Sequence, residues 1–185
     1  INCVGNQTVS TDNNTCTYTK AGTGWDAIGS DNCGTMTFGY QLSGVSSGSG
    51  TSLAGVVFNK GVTTVTWTAT DGSGNTETCS FDVTVNDTQD PTITCVGDQT
   101  VSTDNNTCTY TKVGTGWDAT GSDNCVTVTF GYQLSGVTSG SGTSLAGVVF
   151  NKGVTTVTWT ATDGSSNTET CSFDVTVNDT QDPTI

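Results

Sequence analysis

The chain is written almost twice. Positions 1–92 recur at 93–184 with eight differences, and Ile1 and Ile93 are matched by an isoleucine at 185, so 185 residues are two periods plus one. The differences are Asn2/Thr94, Asn6/Asp98, Ala21/Val113, Ile28/Thr120, Gly34/Val126, Met36/Val128, Ser46/Thr138 and Gly74/Ser166. A unit of 92 residues is too long for a solenoid turn and just long enough to bury a core of its own. The period therefore predicts two domains, 1–90 and 91–185, with Ile185 beginning a third copy, and the chain reads as a segment of an array that continues. No apolar run approaches the roughly 18 residues that a membrane span needs, so no membrane span is expected in this segment.

Charge narrows the function. Four Lys, no Arg and no His stand against 17 acidic residues, giving a net charge of -13. Nucleic-acid binding needs cations that neutralise phosphates, and this chain has almost none. Without His there is no Ser-His-Asp or Cys-His dyad and no imidazole metal ligand. An enzyme would have to work with carboxylates such as Asp26, Asp31 and Asp71, as a glycosidase does across a sugar-binding cleft. A 92-residue sandwich has little room for that cleft, so the chain is not expected to be an enzyme.

Hydrophobic periodicity sets the fold class. Val65, Trp67 and Ala69 alternate with Thr64, Thr66, Thr68 and Thr70, and Cys79, Phe81, Val83 and Val85 alternate with Ser80, Asp82 and Thr84. Met36, Phe38, Tyr40 and Leu42 make a third such face, and Cys16 with Tyr18 a fourth. This period of two is that of half-buried strands, and no segment carries a helical stripe. Thr favours strands, and the intervening clusters at 10–14, 29–32, 43–50, 59–61 and 71–75 are rich in the Gly, Ser, Asn and Asp that favour turns. Six or seven short strands per repeat predict an all-β chain of two tandem β-sandwich domains. The join at 86–92 contains Pro91, whose twin is Pro183. Proline fixes its own φ and extends the residue before it, so the linker is expected to be short and stiff.

Cysteines fall four to a repeat, at 3, 16, 33 and 79 and again at 95, 108, 125 and 171. None has CxxC spacing, and no His completes a zinc site. An even count in a small domain predicts two disulfides per repeat and an oxidising, extracellular compartment. Four cysteines permit three pairings, and spacing does not choose among them.

Phe58, Gly61, Val65, Trp67, Ala69, Asp71, Gly74, Asn75, Cys79, Phe81, Val83, Val85 and Asp87 follow a closing signature that resembles the HYR (hyalin repeat) family. Pro91, Ile93 and Cys95 resemble its opening, and Asp31, Asn32 and Cys33 an internal motif. Val4 and Val96, and Asn59 and Asn151, stand where the family often has proline. The resemblance implies an immunoglobulin-like module used in tandem in extracellular and surface proteins. Many members keep only the first and last cysteine, which implies a bond between Cys3 and Cys79. That leaves Cys16 with Cys33, and by repetition Cys95 with Cys171 and Cys108 with Cys125.

Carboxylates are the remaining chemistry. Ca²⁺ takes oxygens from Asp, Asn and carbonyls, and oxygen-rich turns without His suit it. If Cys3 and Cys79 open parallel strands, the turn at 71–75 sits where the chain enters its domain. The linker then delivers Asp87 and Asp90 toward Asp163 and Asn167, a candidate calcium set at the domain junction. Against it stands the ordinary use of Asp and Asn in tight turns. Asp31 and Asp123 fall at the exit end if Cys16 bonds Cys33, and at the entrance if a simple hairpin places them. Asn-x-Thr sequons at Asn6, Asn13, Asn86, Asn105 and Asn178 are candidate glycan attachment points. Trp25 and Trp117 could stack on a sugar or belong to the core. The function these features imply is a structural extracellular repeat module, a stiff disulfide-stabilised stalk or filament whose partners are further copies of itself. The alternatives are an adhesin or carbohydrate-binding module meeting glycans or cell-surface proteins, with contacts around Trp25 or at 43–50, and an accessory spacer array of a larger secreted enzyme.

Overall fold

A computed structural model describes residues 1–125 and 127–183; Ile185, where a third copy would begin, lies outside the described residues. The chain divides into two compact units, Ile1–Gln89 and Asp90–Ile185, one residue earlier than the linker predicts. All regular structure among the described residues is strand. The first unit runs β1 (Gln7–Ser10), β2 (Thr17–Thr19), β3 (Thr37–Gly44), β4 (Gly48–Gly50), β5 (Val57–Asn59), β6 (Gly61–Thr70) and β7 (Thr76–Asn86). The second runs β8 (Thr92–Thr94), β9 (Gln99–Ser102), β10 (Thr109–Thr111), β11 (Thr120–Ser122), β12 (Thr129–Gly136), β13 (Gly140–Gly142), β14 (Val149–Asn151), β15 (Gly153–Thr162) and β16 (Thr168–Asn178).

Each unit is an immunoglobulin-like sandwich. In the first, a five-stranded sheet in the order β1-β7-β6-β3-β4 faces the pair β2-β5, and the first strand runs parallel to the last. The second repeats this arrangement as β13-β12-β15-β16-β9 facing β10-β14. The alternation read from the sequence supplies the core. Thr63, Val65, Trp67 and Ala69 of β6 are buried while the residues between them are not, and Phe81, Val83 and Val85 of β7 do the same. Register sets the contacts: Val65 lies opposite Phe81 and Leu42, and Trp67 lies opposite Cys79 and Tyr40. The Tyr40 and Trp67 rings meet edge to face at 5.4 Å, a geometry the ring quadrupoles favour. From the facing pair, Phe58 closes the core with no exposed surface. The outward threonines also bond across strands, Thr64 Oγ1 donating to Asp82 Oδ1 at 2.7 Å.

One segment read as a turn cluster, 43–50, contains a strand. Residues 37–50 make a hairpin in which Gly48–Gly50 pairs back on Tyr40–Leu42, leaving 45–47 as its turn. Glycine and serine give no hydrophobic alternation to read, yet their backbone groups pair normally. Gly44 is indispensable at its bend: φ is +107°, and a Cβ would stand 2.6 Å from the Val62 carbonyl oxygen.

The disulfide arrangement departs from the expectation of two bonds within each repeat. Cys3 bonds Cys79 and Cys95 bonds Cys171, with Cα separations of 5.8 and 5.9 Å. Cys33 and Cys108 are exposed free thiols, so Cys16 does not bond Cys33 and Cys125 does not bond Cys108. The reason is topological. The turn carrying Cys16 is tied to the end of β7, where Thr11 N donates to Asn86 O at 2.9 Å and Asn14 N to Gln89 Oε1 at 2.9 Å. Cys33 lies just before β3, whose first residue pairs with Thr70, the last residue of β6. Eleven residues of β7 separate these two levels, about 35 Å at strand rise, whereas a disulfide needs Cα atoms within about 7 Å.

Candidate functional site

Each unit has two chemically distinct ends. At the leading end, where the chain enters, Asp31, Asp71, Asn75 and Glu77 line a cavity of about 160 Å³ together with Ile1, Ser30 and Met36. The simple hairpin placement of Asp31 is therefore the one found. Asp71 organises the turn that follows β6. Its Oδ1 accepts from Ser73 N and Asn75 N, both at 2.8 Å, and its Oδ2 accepts from Asn75 Nδ2 at 2.7 Å. Asn75 above all, by its side-chain donor, holds the Asp71 carboxyl below its ordinary pKa of 3.8. A depressed carboxyl contributes stability that is fully present above its unfolded pKa and is lost as pH falls through the folded one. The Asp71 turn therefore weakens only in acid, below pH 3.8.

The second unit repeats this geometry. Asp163 Oδ1 accepts from Ser165 N and Asn167 N at 2.8 Å, and its Oδ2 from Asn167 Nδ2 at 2.8 Å. The turn reading of these residues is thus realised, with Oδ1 of each aspartate accepting two hydrogen bonds from its own turn. Asp31 Oδ2 caps Cys33 N at 2.8 Å and Asp123 Oδ2 caps Cys125 N at 2.9 Å. Asp123 Oδ1 is buried without a hydrogen-bond partner among the described residues, a costly state for an acceptor.

At the trailing end, Lys60 Nζ reaches Asp87 Oδ2 at 3.4 Å, and Asp87 Oδ1 accepts from Gln89 N at 3.3 Å. Lys152 and Asp179 form the same 3.4 Å pair in the second unit. The Gln181 amide and the Lys152 ammonium lower the Asp179 pKa. Asp90 is exposed beside Pro91. All five sequon residues, Asn6, Asn13, Asn86, Asn105 and Asn178, are exposed.

The other candidates are structural. Trp25 packs on Tyr18, Phe58 and Phe81 at ring distances of 5.7, 6.0 and 6.4 Å, and Trp117 repeats these contacts. Lys20 lies over the Trp25 ring at 4.9 Å while its Nζ donates to the carbonyls of Ala21 and Gly22. Asp26 Oδ2 accepts from Ser52 Oγ and its Oδ1 from Leu53 N, both at 2.7 Å. It lines a different cavity from the one that Asp31 and Asp71 share. The roles of Lys20 and Asp26 were not read from the sequence; the only available signal was their recurrence at positions 112 and 118.

Residues 1–85 match the family model of the HYR domain. The chain is 36% identical to hyalin of Strongylocentrotus purpuratus over 142 residues, which are 73% of this chain and 11% of hyalin. It is 33% identical to the serine-rich adhesin for platelets of Staphylococcus aureus strain MRSA252 over 186 residues, 92% of this chain and 12% of that protein. The chain thus spans only about an eighth of either relative. Among solved structures, Drosophila N-cadherin EC1-4 aligns with 95% of this chain and 48% of its own at a TM-score of 0.41 and 13% identity. Because positions 93–177 repeat the matched stretch with only the eight differences given above, the chain belongs to the HYR domain family.

Proposed function

We propose that the chain is a segment of an extracellular, non-enzymatic stalk or filament in which HYR units follow one another end to end. The observation carrying this reading is that each unit takes the chain in at one end and releases it at the other. The Cys3 disulfide holds the entrance at the start of β7, and the chain leaves from the end of that same strand. A module wired in this way extends an array with every copy, and Pro91 stiffens the connection. The acidic surface discourages non-specific association. Small-angle scattering tests the reading: a stiff pair of units gives a maximum dimension of about 80 Å from strand lengths, and a value near that of one unit overturns it.

Calcium fits the same reading. Asp87 and Asp90 of the linker with Asp163 and Asn167 of the following turn are the proposed ligand set, all hard oxygen donors of the kind Ca²⁺ prefers. The partnerless Asp123 Oδ1 supports a need for a cation at a leading end. When bound, the ion supplies charge neutralisation and no reaction chemistry. Melting with and without EDTA decides: a lower melting temperature on chelation is expected, and an unchanged one removes the ion.

Similarity to the staphylococcal adhesin favours a second reading, an adhesive module on a cell surface. The packing of Trp25 into the core takes away its most obvious sugar-stacking group, so adhesion would use the loops. Glycan-array binding that survives Trp25→Phe and is lost on altering residues 43–50 supports this reading; no binding on any array removes it.

A further inference from the structure

Eight cysteines offer three structural situations. Cys3, Cys79, Cys95 and Cys171 staple the units internally. Cys33 and Cys108 are exposed thiols. Cys16 and Cys125, which occupy the repeat positions equivalent to Cys108 and Cys33, each carry a disulfide bond. The same two repeat positions are thus oxidised in one copy and reduced in the other.

Their placement within a unit explains which partner each requires. The position shared by Cys16 and Cys108 belongs to the trailing end. In the second unit, Thr103 N donates to Asn178 O at 2.9 Å, Asn106 N to Gln181 Oε1 at 3.0 Å, and Cys108 O accepts from Lys152 N at 3.0 Å, all beside the end of β16. The position shared by Cys33 and Cys125 belongs to the leading end, two residues after the aspartate that caps it. Within one unit the two are separated by the length of the sandwich and cannot bond. In an array, a trailing end is followed by a leading end.

We infer that these two positions staple one chain to the next: the exposed Cys108 thiol at the trailing end of one chain bonds the exposed Cys33 thiol at the leading end of another. This inference rests on the end-to-end reading above and adds a covalent lock to it. The chemistry is thiol–disulfide exchange with a small-molecule disulfide such as glutathione disulfide. The Cys108 thiolate attacks one sulfur, forms a mixed disulfide and expels one glutathione thiolate. The Cys33 thiolate of the next chain then attacks the Cys108 sulfur and expels the second. Two protein thiols are oxidised to one disulfide, one glutathione disulfide is reduced to two glutathiones, and the two thiol protons pass to the leaving thiolates.

The test uses the whole chain and its directionality. Incubated with glutathione disulfide in mildly alkaline buffer, which favours the attacking thiolate, the unaltered chain is expected to give a ladder of multimers on a non-reducing denaturing gel, collapsed by reductant. Cys33→Ser keeps only the trailing thiol and Cys108→Ser only the leading one. Either variant alone is expected to stay monomeric, whereas an equimolar mixture gives dimer. Dimers of a single variant indicate symmetric pairing and overturn the inference, as do monomers throughout or a ladder that survives the double variant. Both side chains are exposed, so unchanged melting curves of the variants check that folding is intact. An extended scattering profile with no ladder leaves the stalk standing and removes the staple; a compact profile removes the stalk itself.

Discussion

The two repeats are one experiment performed twice by the same chain, and the eight positions at which they differ show what the fold tolerates. Among the described residues, none at these eight positions is a buried hydrophobic residue of either core. Where a difference touches a hydrogen bond, the bond is kept. Asn6 and Asp98 both offer a side-chain oxygen to the amide of the last long strand, at 2.9 Å in each unit. Ser46 and Thr138 both accept through the hydroxyl from Asn59 N and Asn151 N, at 2.8 and 2.9 Å. Gly74 and Ser166 both take a left-handed φ, +85° and +73°. The comparison teaches that backbone-directed acceptors and alternating burial define this module, while side-chain identity outside them is free.

That claim breaks first at the core. Trp67→Ala and Trp159→Ala should each destabilise their unit by about 3–5 kcal/mol, the usual range for a fully buried large aromatic, and the two losses in urea unfolding should agree. A large inequality would mean that the repeats are not energetic twins. Asp26→Ala and Asp118→Ala come next, at about 2 kcal/mol each, because a part-buried backbone amide and a hydroxyl lose a charged acceptor. Their check is the same titration, with Asp26→Glu as a control whose longer side chain misplaces both bonds.

A smaller effect carries the opposite sign. Thr63 and Thr155 are buried with hydroxyls that have no partner, so Thr63→Val and Thr155→Val should each stabilise by about 1 kcal/mol; a loss of stability would reveal a partner for the hydroxyl. The smallest effect sharpens the comparison at a real difference. Ser166→Gly should raise stability and Gly74→Ser lower it, each by about 1 kcal/mol or less, since a left-handed φ suits glycine better than serine. Swapping both at once should leave the total unchanged.

Much of the fold was legible because polar and apolar residues alternate from Thr64 to Thr70 in β6 and from Cys79 to Val85 in β7. The strand at 48–50 was not, because glycine and serine pair through backbone groups that leave no mark on hydrophobic periodicity. The bond between Cys3 and Cys79 followed from resemblance to a family that keeps those two cysteines. Pairing Cys16 with Cys33 rested on the assumption that every cysteine is satisfied inside its own repeat. Sequence distance does not report which end of a sandwich a loop reaches; only the ties of the Cys16 turn to Asn86 and Gln89 do. Asp26 and Lys20 resemble any surface charge in the sequence, since the amides and carbonyls they bind carry no residue identity.

The separation of each unit into a leading and a trailing end is the central claim, and disulfide mapping tests it most directly. Freshly purified chain, alkylated before non-reducing digestion and mass analysis, should yield the linked peptides of Cys3 with Cys79 and of Cys95 with Cys171, with Cys33 and Cys108 alkylated. A linked peptide joining Cys16 to Cys33, or Cys108 to Cys125, would place both cysteines at one end of a unit and contradict the account.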